Sequence, residues 1–141
     1  MNTPLFKKIM VIDDNEVDRF IAEYNIAADN LAEETVLMDS ARSALLYLSS
    51  LAQKPDELPD LIFLDIQMPE INGFGFLDAY NKLPEIIKLK AAIVMLSSSL
   101  NPDDYDRAHT SEYVKRIVTK PLDKRRIDEV RAGAEMFKDA A

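Results

Sequence analysis

The sequence predicts a doubly wound α/β domain built on a five-stranded parallel sheet, and three observations carry that expectation. Short runs of four or five apolar residues recur without polar alternation, as in strands covered on both faces. Between them lie stretches with apolar residues at helical spacing, so strands and helices alternate along the chain. The apolar runs end abruptly in Asp, Ser or Lys, and an open parallel sheet binds its ligands at the carboxyl edge of its strands.

The first strand is Ile9-Met10-Val11-Ile12, which stops at Asp13-Asp14. Asn15 then caps a helix on which Val17, Phe20, Ile21, Tyr24 and Ala28 form an apolar stripe. The second strand, Thr35–Met38, ends at Asp39, and Ala41, Ala44, Leu45, Leu48 and Leu51 mark the second helix. Lys54–Asp60 carries two prolines and reads as a surface loop. The third strand, Leu61–Leu64, ends at Asp65. Phe74, Leu77, Ala79 and Tyr80 mark a third helix that stops before Pro84, and Pro84–Lys90 reads as another surface loop. The fourth strand, Ala92–Leu96, ends at Ser97. Asn101-Pro102-Asp103-Asp104 is a strong start for a fourth helix: a capping Asn, Pro in the first turn, and acids at the positive end of the dipole. The fifth strand, Ile117–Thr119, is followed by Lys120-Pro121. Asp123 precedes a fifth helix carrying Ile127, Val130, Ala134 and Phe137, with Gly133 weakening its far end. The order is βαβαβαβαβα, with no repeats and no low-complexity tracts.

Composition narrows the function. The chain has 141 residues, the size of one ordinary domain, and 1–141 is expected to be a single domain with a core over about 7–137. Cysteine is absent, which excludes disulfides, thiolate metal sites and cysteine nucleophiles, and a single histidine excludes multi-histidine metal sites. The net charge of −8 opposes sequence-independent binding to nucleic acid or anionic membranes. Neither an apolar leader segment nor a stretch approaching the ~20 residues of a membrane span is present, so the expected location is cytoplasmic.

The chemistry sits at the strand ends. Asp13 and Asp14 follow the first strand, Asp65 the third, Ser97 the fourth and Lys120 the fifth. In a parallel sheet these groups converge, although they span more than a hundred residues of sequence. Three carboxylates and one lysine suit a hard divalent cation and a phosphoryl group: Mg²⁺ takes oxygen ligands, and lysine serves phosphate as a point charge. Taken singly, Asp-Asp could be a turn and cap, and Lys-Pro a loop. Taken together, three clustered carboxylates repel one another without a cation, and the fold does not need them.

These residues resemble the receiver domain of bacterial two-component response regulators over about Lys7 to Phe137. The segment Asp65-Ile66-Gln67-Met68-Pro69-Glu70-Ile71-Asn72-Gly73 resembles that family's D-x-x-M-P-x-x-x-G around the phosphoacceptor. Asp13-Asp14, Ser97 and Lys120-Pro121 match its acidic pair, its hydroxyl residue and its K-P. The resemblance implies a flavodoxin-like, CheY-like (βα)5 domain with strand order 2-1-3-4-5. It implies that Asp65 accepts a phosphoryl group from a sensor histidine kinase, a histidine phosphotransfer protein or a small phosphodonor. Mg²⁺ would be held by Asp14, Asp65 and the backbone carbonyl of Gln67, with Asp13 acting through a water. Lys120 would neutralise phosphoryl charge, Ser97 would donate a hydrogen bond to the phosphoryl group, and the Lys120–Pro121 peptide would be cis. The family's readout is a shift of the face formed by the fourth helix, fifth strand and fifth helix, where receivers also often dimerise. A downstream protein partner is implied but not specified, and no output domain is expected.

Ile117 departs from the family pattern, which often has an aromatic residue three positions before the lysine. An aliphatic side chain cannot report the switch by ring rotation, and Tyr113 has the wrong spacing to replace it. Gln67 and Ser99 fall at variable positions that tune phosphoryl loss, and the small Ser98 leaves a path for water. His109 reads as a surface residue and Asp103-Asp104 as helix-start acids. Lys124-Arg125-Arg126 reads first as solvated surface and second as a partner patch. Three rival functions are weaker. A Mg²⁺-dependent aspartyl-phosphate phosphohydrolase needs a second Asp where Gln67 stands, together with a substrate cap. A flavodoxin-like electron carrier needs a hydroxyl- and glycine-rich phosphate loop where Asp13-Asp14-Asn15-Glu16 stand. A phosphorylation-independent binding module of the same fold has no need of the intact site.

Overall fold

The computed structural model describes residues 3–99 and 101–139, with side chains of the last helix described through Ala134. The strands are β1 (Phe6–Ile12), β2 (Ala32–Met38), β3 (Leu61–Asp65), β4 (Ala92–Ser97) and β5 (Val114–Thr119). The helices are α1 (Glu16–Ala28), α2 (Ala41–Ser50), α3 (Gly73–Tyr80), α4 (Glu85–Lys88), α5 (Pro102–Ala108) and α6 (Lys124–Asp139). The sheet is parallel throughout, in the order β2-β1-β3-β4-β5. This is the doubly wound order expected above. The strand sequence reverses between β1 and β3, and that reversal opens a crevice at their carboxyl ends.

Alternate side chains along the central strands feed two separate cores. Met10, Ile12, Ile62, Leu64, Ile93 and Met95 pack on one face with Ala44, Leu48, Phe74 and Tyr80 from α2 and α3. Ile9, Val11, Leu61, Phe63, Val94 and Leu96 pack on the other with Ala22 and Ile26 of α1 and Ile127 and Val130 of α6. Both faces of β1, β3 and β4 are therefore covered, which is why their sequences show no polar alternation. β2 differs from expectation: as an edge strand it is only half-buried, and it starts three residues earlier than its apolar run.

Two helical expectations need correction. The stripe expected to bury α1 is largely solvent-exposed: Val17 is 65% accessible, Phe20 66% and Tyr24 63%. The sheet contacts come from Ala22 and Ile26. Both faces of this helix carry apolar residues at helical spacing, so periodicity alone does not choose between them, and the face with the small Ala22 is the one that meets the strands. Pro84–Lys90 is not a plain surface loop, because α4 forms there and buries Ile87. The predicted fourth and fifth helices are thus α5 and α6.

The expected caps are present. Asn15 Oδ1 accepts from the Asp18 N–H at 2.9 Å, and Asn101 Oδ1 accepts from the Asp103 N–H at 2.9 Å. Asp123 Oδ1 accepts from the Arg126 N–H at 3.1 Å, opening α6. Phe137 lies outside the described side chains. Among the described residues, no helix is long and apolar enough to cross a membrane.

Candidate functional site

The sheet register brings the predicted residues to one edge. Ile12 is level with Leu64, so Asp13 and Asp14 emerge beside Asp65 at the crevice between β1 and β3. Asp65 is paired with Leu96, and Ser97 with Thr119, which sets Ser97 and Lys120 on the neighbouring strand ends. The Lys120 N–H donates to the Ser97 carbonyl at 2.8 Å, and the Lys120–Pro121 peptide is cis.

One carboxylate oxygen from each of Asp13, Asp14 and Asp65 lies within 4.8 Å of the others. Asp13 and Asp65 are buried, and Asp14 is exposed at the rim. Lys120 is set against this cluster: its Nζ lies 2.8 Å from Asp13 Oδ2 and 3.2 Å from Asp65 Oδ2. The Gln67 N–H donates to Asp65 Oδ1 at 3.1 Å, and the Asn15 N–H donates to Asp13 Oδ1 at 2.9 Å. Backbone donors and the ammonium thus fix both buried carboxylates in place.

The electrostatics follow from that crowding. Burial, then the charge of Asp13, push the Asp65 carboxyl up to about 7, against the opposing pull of Lys120 and the Gln67 N–H. Burial works against the charge on Lys120, but hydrogen bonds to Asp13 and Asp18 and the charges of Asp13 and Asp65 hold its pKa above the usual lysine range. An oxygen-only set of clustered carboxylates whose charge one ammonium cannot balance fits a hard cation such as Mg²⁺.

Ser97, also buried, does not point its hydrogen bond at Asp65: its Oγ donates to the Ser99 carbonyl, and the Ser99 N–H donates back to Ser97 Oγ at 3.2 Å. Ile117 lies in β5 opposite Met95, half-buried against the core. Tyr113 stands away from it, donating from its hydroxyl to Asn81 Oδ1 at 2.7 Å and meeting the Tyr80 ring edge-on. His109 is exposed at the end of α5, with its ring against Tyr105. The basic cluster is dispersed: Lys124 pairs with Asp29 and Asp128, Arg126 bonds to Thr119, and Arg125 is exposed.

Sequence reasoning missed Asp18. From the first turn of α1 its Oδ2 lies 2.9 Å from Lys120 Nζ, a fourth carboxylate at the site. The available signal was an acid in the first turn of the helix that follows Asp13-Asp14.

Comparison with known proteins gives the family and the fold. The response regulator receiver domain family matches residues 9–131. A two-component response regulator from Oryza sativa, ORR1, is 22% identical over 126 residues, 88% of this chain. The chain spans 53% of that relative's length. Among solved structures, a two component response regulator from Cytophaga hutchinsonii superposes with a TM-score of 0.82 at 29% identity, covering 90% of this chain and 95% of that one. The receiver domain of the histidine kinase CKI1 from Arabidopsis thaliana, solved with Mg²⁺ and BeF₃⁻, shares the fold. Its TM-score is 0.74 at 24% identity, covering 89% of this chain and 90% of that one.

Proposed function

The chain belongs to the response regulator receiver domain family of two-component systems, and we propose from that membership that Asp65 is its phosphoacceptor. The observation that carries the reading is the Lys120 ammonium bridging Asp65 and Asp13 at the mouth of the β1–β3 crevice, with Asp14 alongside. An Asp65 carboxylate oxygen attacks the phosphorus of a phosphohistidine on a histidine kinase or histidine phosphotransfer protein. The P–N bond breaks as the P–O bond of an acyl phosphate forms. Asp14, Asp65 and the Gln67 carbonyl would hold Mg²⁺ directly, and Asp13 through water. When bound, Mg²⁺ neutralises charge on the phosphoryl oxygens and the attacking carboxylate. Lys120 steadies the charge on the same oxygens from the β5 side.

Ser97 then leaves the Ser99 carbonyl and donates to a phosphoryl oxygen. That exchange draws the β4–α5 segment inward and changes the face formed by α5, β5 and α6, which meets a downstream protein or a second copy of the chain. With Ile117 in β5, the change on that face proceeds without an aromatic ring turning inward. Water attack on phosphorus returns the carboxylate and releases inorganic phosphate, so the chain catalyses only its own phosphorylation and dephosphorylation. These steps belong to the cytoplasm, where such kinases present their phosphohistidine.

Intact-mass spectrometry after incubation with acetyl phosphate and Mg²⁺ tests the reading. One added phosphoryl group, dependent on Mg²⁺ and absent from Asp65→Asn, is the expected result. An adduct that persists in Asp65→Asn would place the chemistry elsewhere.

A further inference from the structure

An ammonium group has three N–H donors and no acceptor. At Lys120 three carboxylates are placed to take all of them: Asp13 Oδ2 at 2.8 Å, Asp18 Oδ2 at 2.9 Å and Asp65 Oδ2 at 3.2 Å. Asp13 and Asp65 are buried partners whose side chains are each 2% accessible, and they have backbone donors of their own. Asp18 is different. It stands on α1, 30% accessible, and is neither one of the clustered carboxylates nor the acceptor. Its contact with Lys120 at 2.9 Å nevertheless places a further negative charge beside the Asp65 site.

We propose that Asp18 is a positioning residue that holds Lys120 towards α1 and biases the site against the phosphorylated state. The proposal rests on Asp65 being the phosphoacceptor. Two effects act in the same direction. Asp18 occupies an N–H that a phosphoryl oxygen would otherwise receive, and its charge repels the incoming anion through a partly solvated medium. Loss of Asp18 leaves Lys120 anchored by Asp13, so the ammonium remains at the site with one donor released. The acid therefore tunes how strongly the site holds a phosphoryl group, without touching that group itself.

The test is fluorine NMR titration of beryllofluoride, a phosphoryl mimic, at saturating Mg²⁺ and constant ionic strength. Wild type, Asp18→Asn, Asp18→Ala, Asp18→Glu and Asp65→Asn are compared. Asp18→Asn and Asp18→Ala should each bind about three- to tenfold more tightly than wild type, the size expected for removing one charge near the ligand. Asp18→Glu, which restores the charge, should return towards the wild-type value. A purely structural role for Asp18 would leave binding unchanged or weaken it in the neutral variants. Either result, with wild type binding normally, overturns the proposal alone. No binding by wild type overturns the phosphoacceptor reading, and the proposal with it. Asp65→Asn marks the signal of binding outside the site.

Discussion

A Cβ atom placed on Gly73 would stand 2.7 Å from the carbonyl oxygen of Asp65. The same atom would meet Ile66 Cα and Met95 Cε at 2.9 Å each. Two of these three neighbours are main-chain atoms and cannot swing aside. The first residue of α3 is thus pressed against the strand end that carries the proposed phosphoacceptor, and the Gly73 N–H donates to the Ile66 carbonyl at 2.9 Å. The glycine eight residues after Asp65 is required by this close approach.

Gly73→Ala should therefore disturb the site through the backbone. Alanine favours a helix over glycine by up to about 1 kcal/mol, but overpacking against main chain costs about 1–3 kcal/mol. We expect a net loss of about 1–2 kcal/mol in urea unfolding, together with slower Mg²⁺-dependent phosphorylation of Asp65. A variant as stable as wild type, and equally reactive, would show that the strand end tolerates displacement.

The raised pKa of Asp65 carries a stability signature in the metal-free protein. Its folded value, about 7, exceeds the roughly 3.9 of an unfolded aspartate. Between those values the folded state binds the extra proton, so stability falls as pH rises from about 4 through 7. Asp65→Asn should remove that slope and stabilise the metal-free protein by about 1–3 kcal/mol at pH 8. Saturating Mg²⁺ should remove the wild-type slope as well, because a cation favours the ionised carboxylate. Thermal unfolding across pH, with and without Mg²⁺, reads all three effects.

The strands and the candidate site were legible in the sequence for the same reason: four of the five apolar runs, those of β1, β3, β4 and β5, end in or beside a residue that the fold brings to one edge of the sheet. The Asp13-Asp14 pair, Asp65 and Lys120 lie far apart in sequence, and the parallel register brings them together. Helix faces were harder to read. On α2 the expected stripe holds, with Ala41, Ala44 and Leu48 buried, while Leu46 beside it is exposed. On α1 two faces qualified, and the larger side chains marked the exposed one. Asp18 escaped notice because its partner Lys120 is 102 residues away and the contact depends on how α1 sits over the strand end.

That distinction on α1 is measurable. Phe20→Ala removes an exposed ring and should change unfolding stability by no more than about 0.5 kcal/mol. Ile26→Ala opens a cavity beneath the helix, where Ile26 is fully buried, and should cost about 2–5 kcal/mol. A large loss for Phe20→Ala in the monomer would return that ring to the core.

Lys120 offsets part of the charge of the acidic cluster while no cation is bound. Its replacement by Met retains much of the stem's volume but leaves Asp13 and Asp65 facing each other without a counter-charge. Breaking a buried pair from one side costs about 3–5 kcal/mol, and the 14% accessibility of the Lys120 side chain places the expected loss near the lower end. Mg²⁺ can then do what the ammonium did. A ligand that binds only the folded state stabilises it by about 2.7 kcal/mol at a hundred times its Kd, and the variant binds the cation without a competing charge. Lys120→Met should therefore show a lower Tm than wild type in chelator and a larger upward shift on adding Mg²⁺. It should nevertheless accept a phosphoryl group poorly, because the cation replaces the lysine's charge without its hydrogen bonds. Equal Mg²⁺ shifts in the two proteins would mean that Lys120 and the cation do not share the same carboxylates.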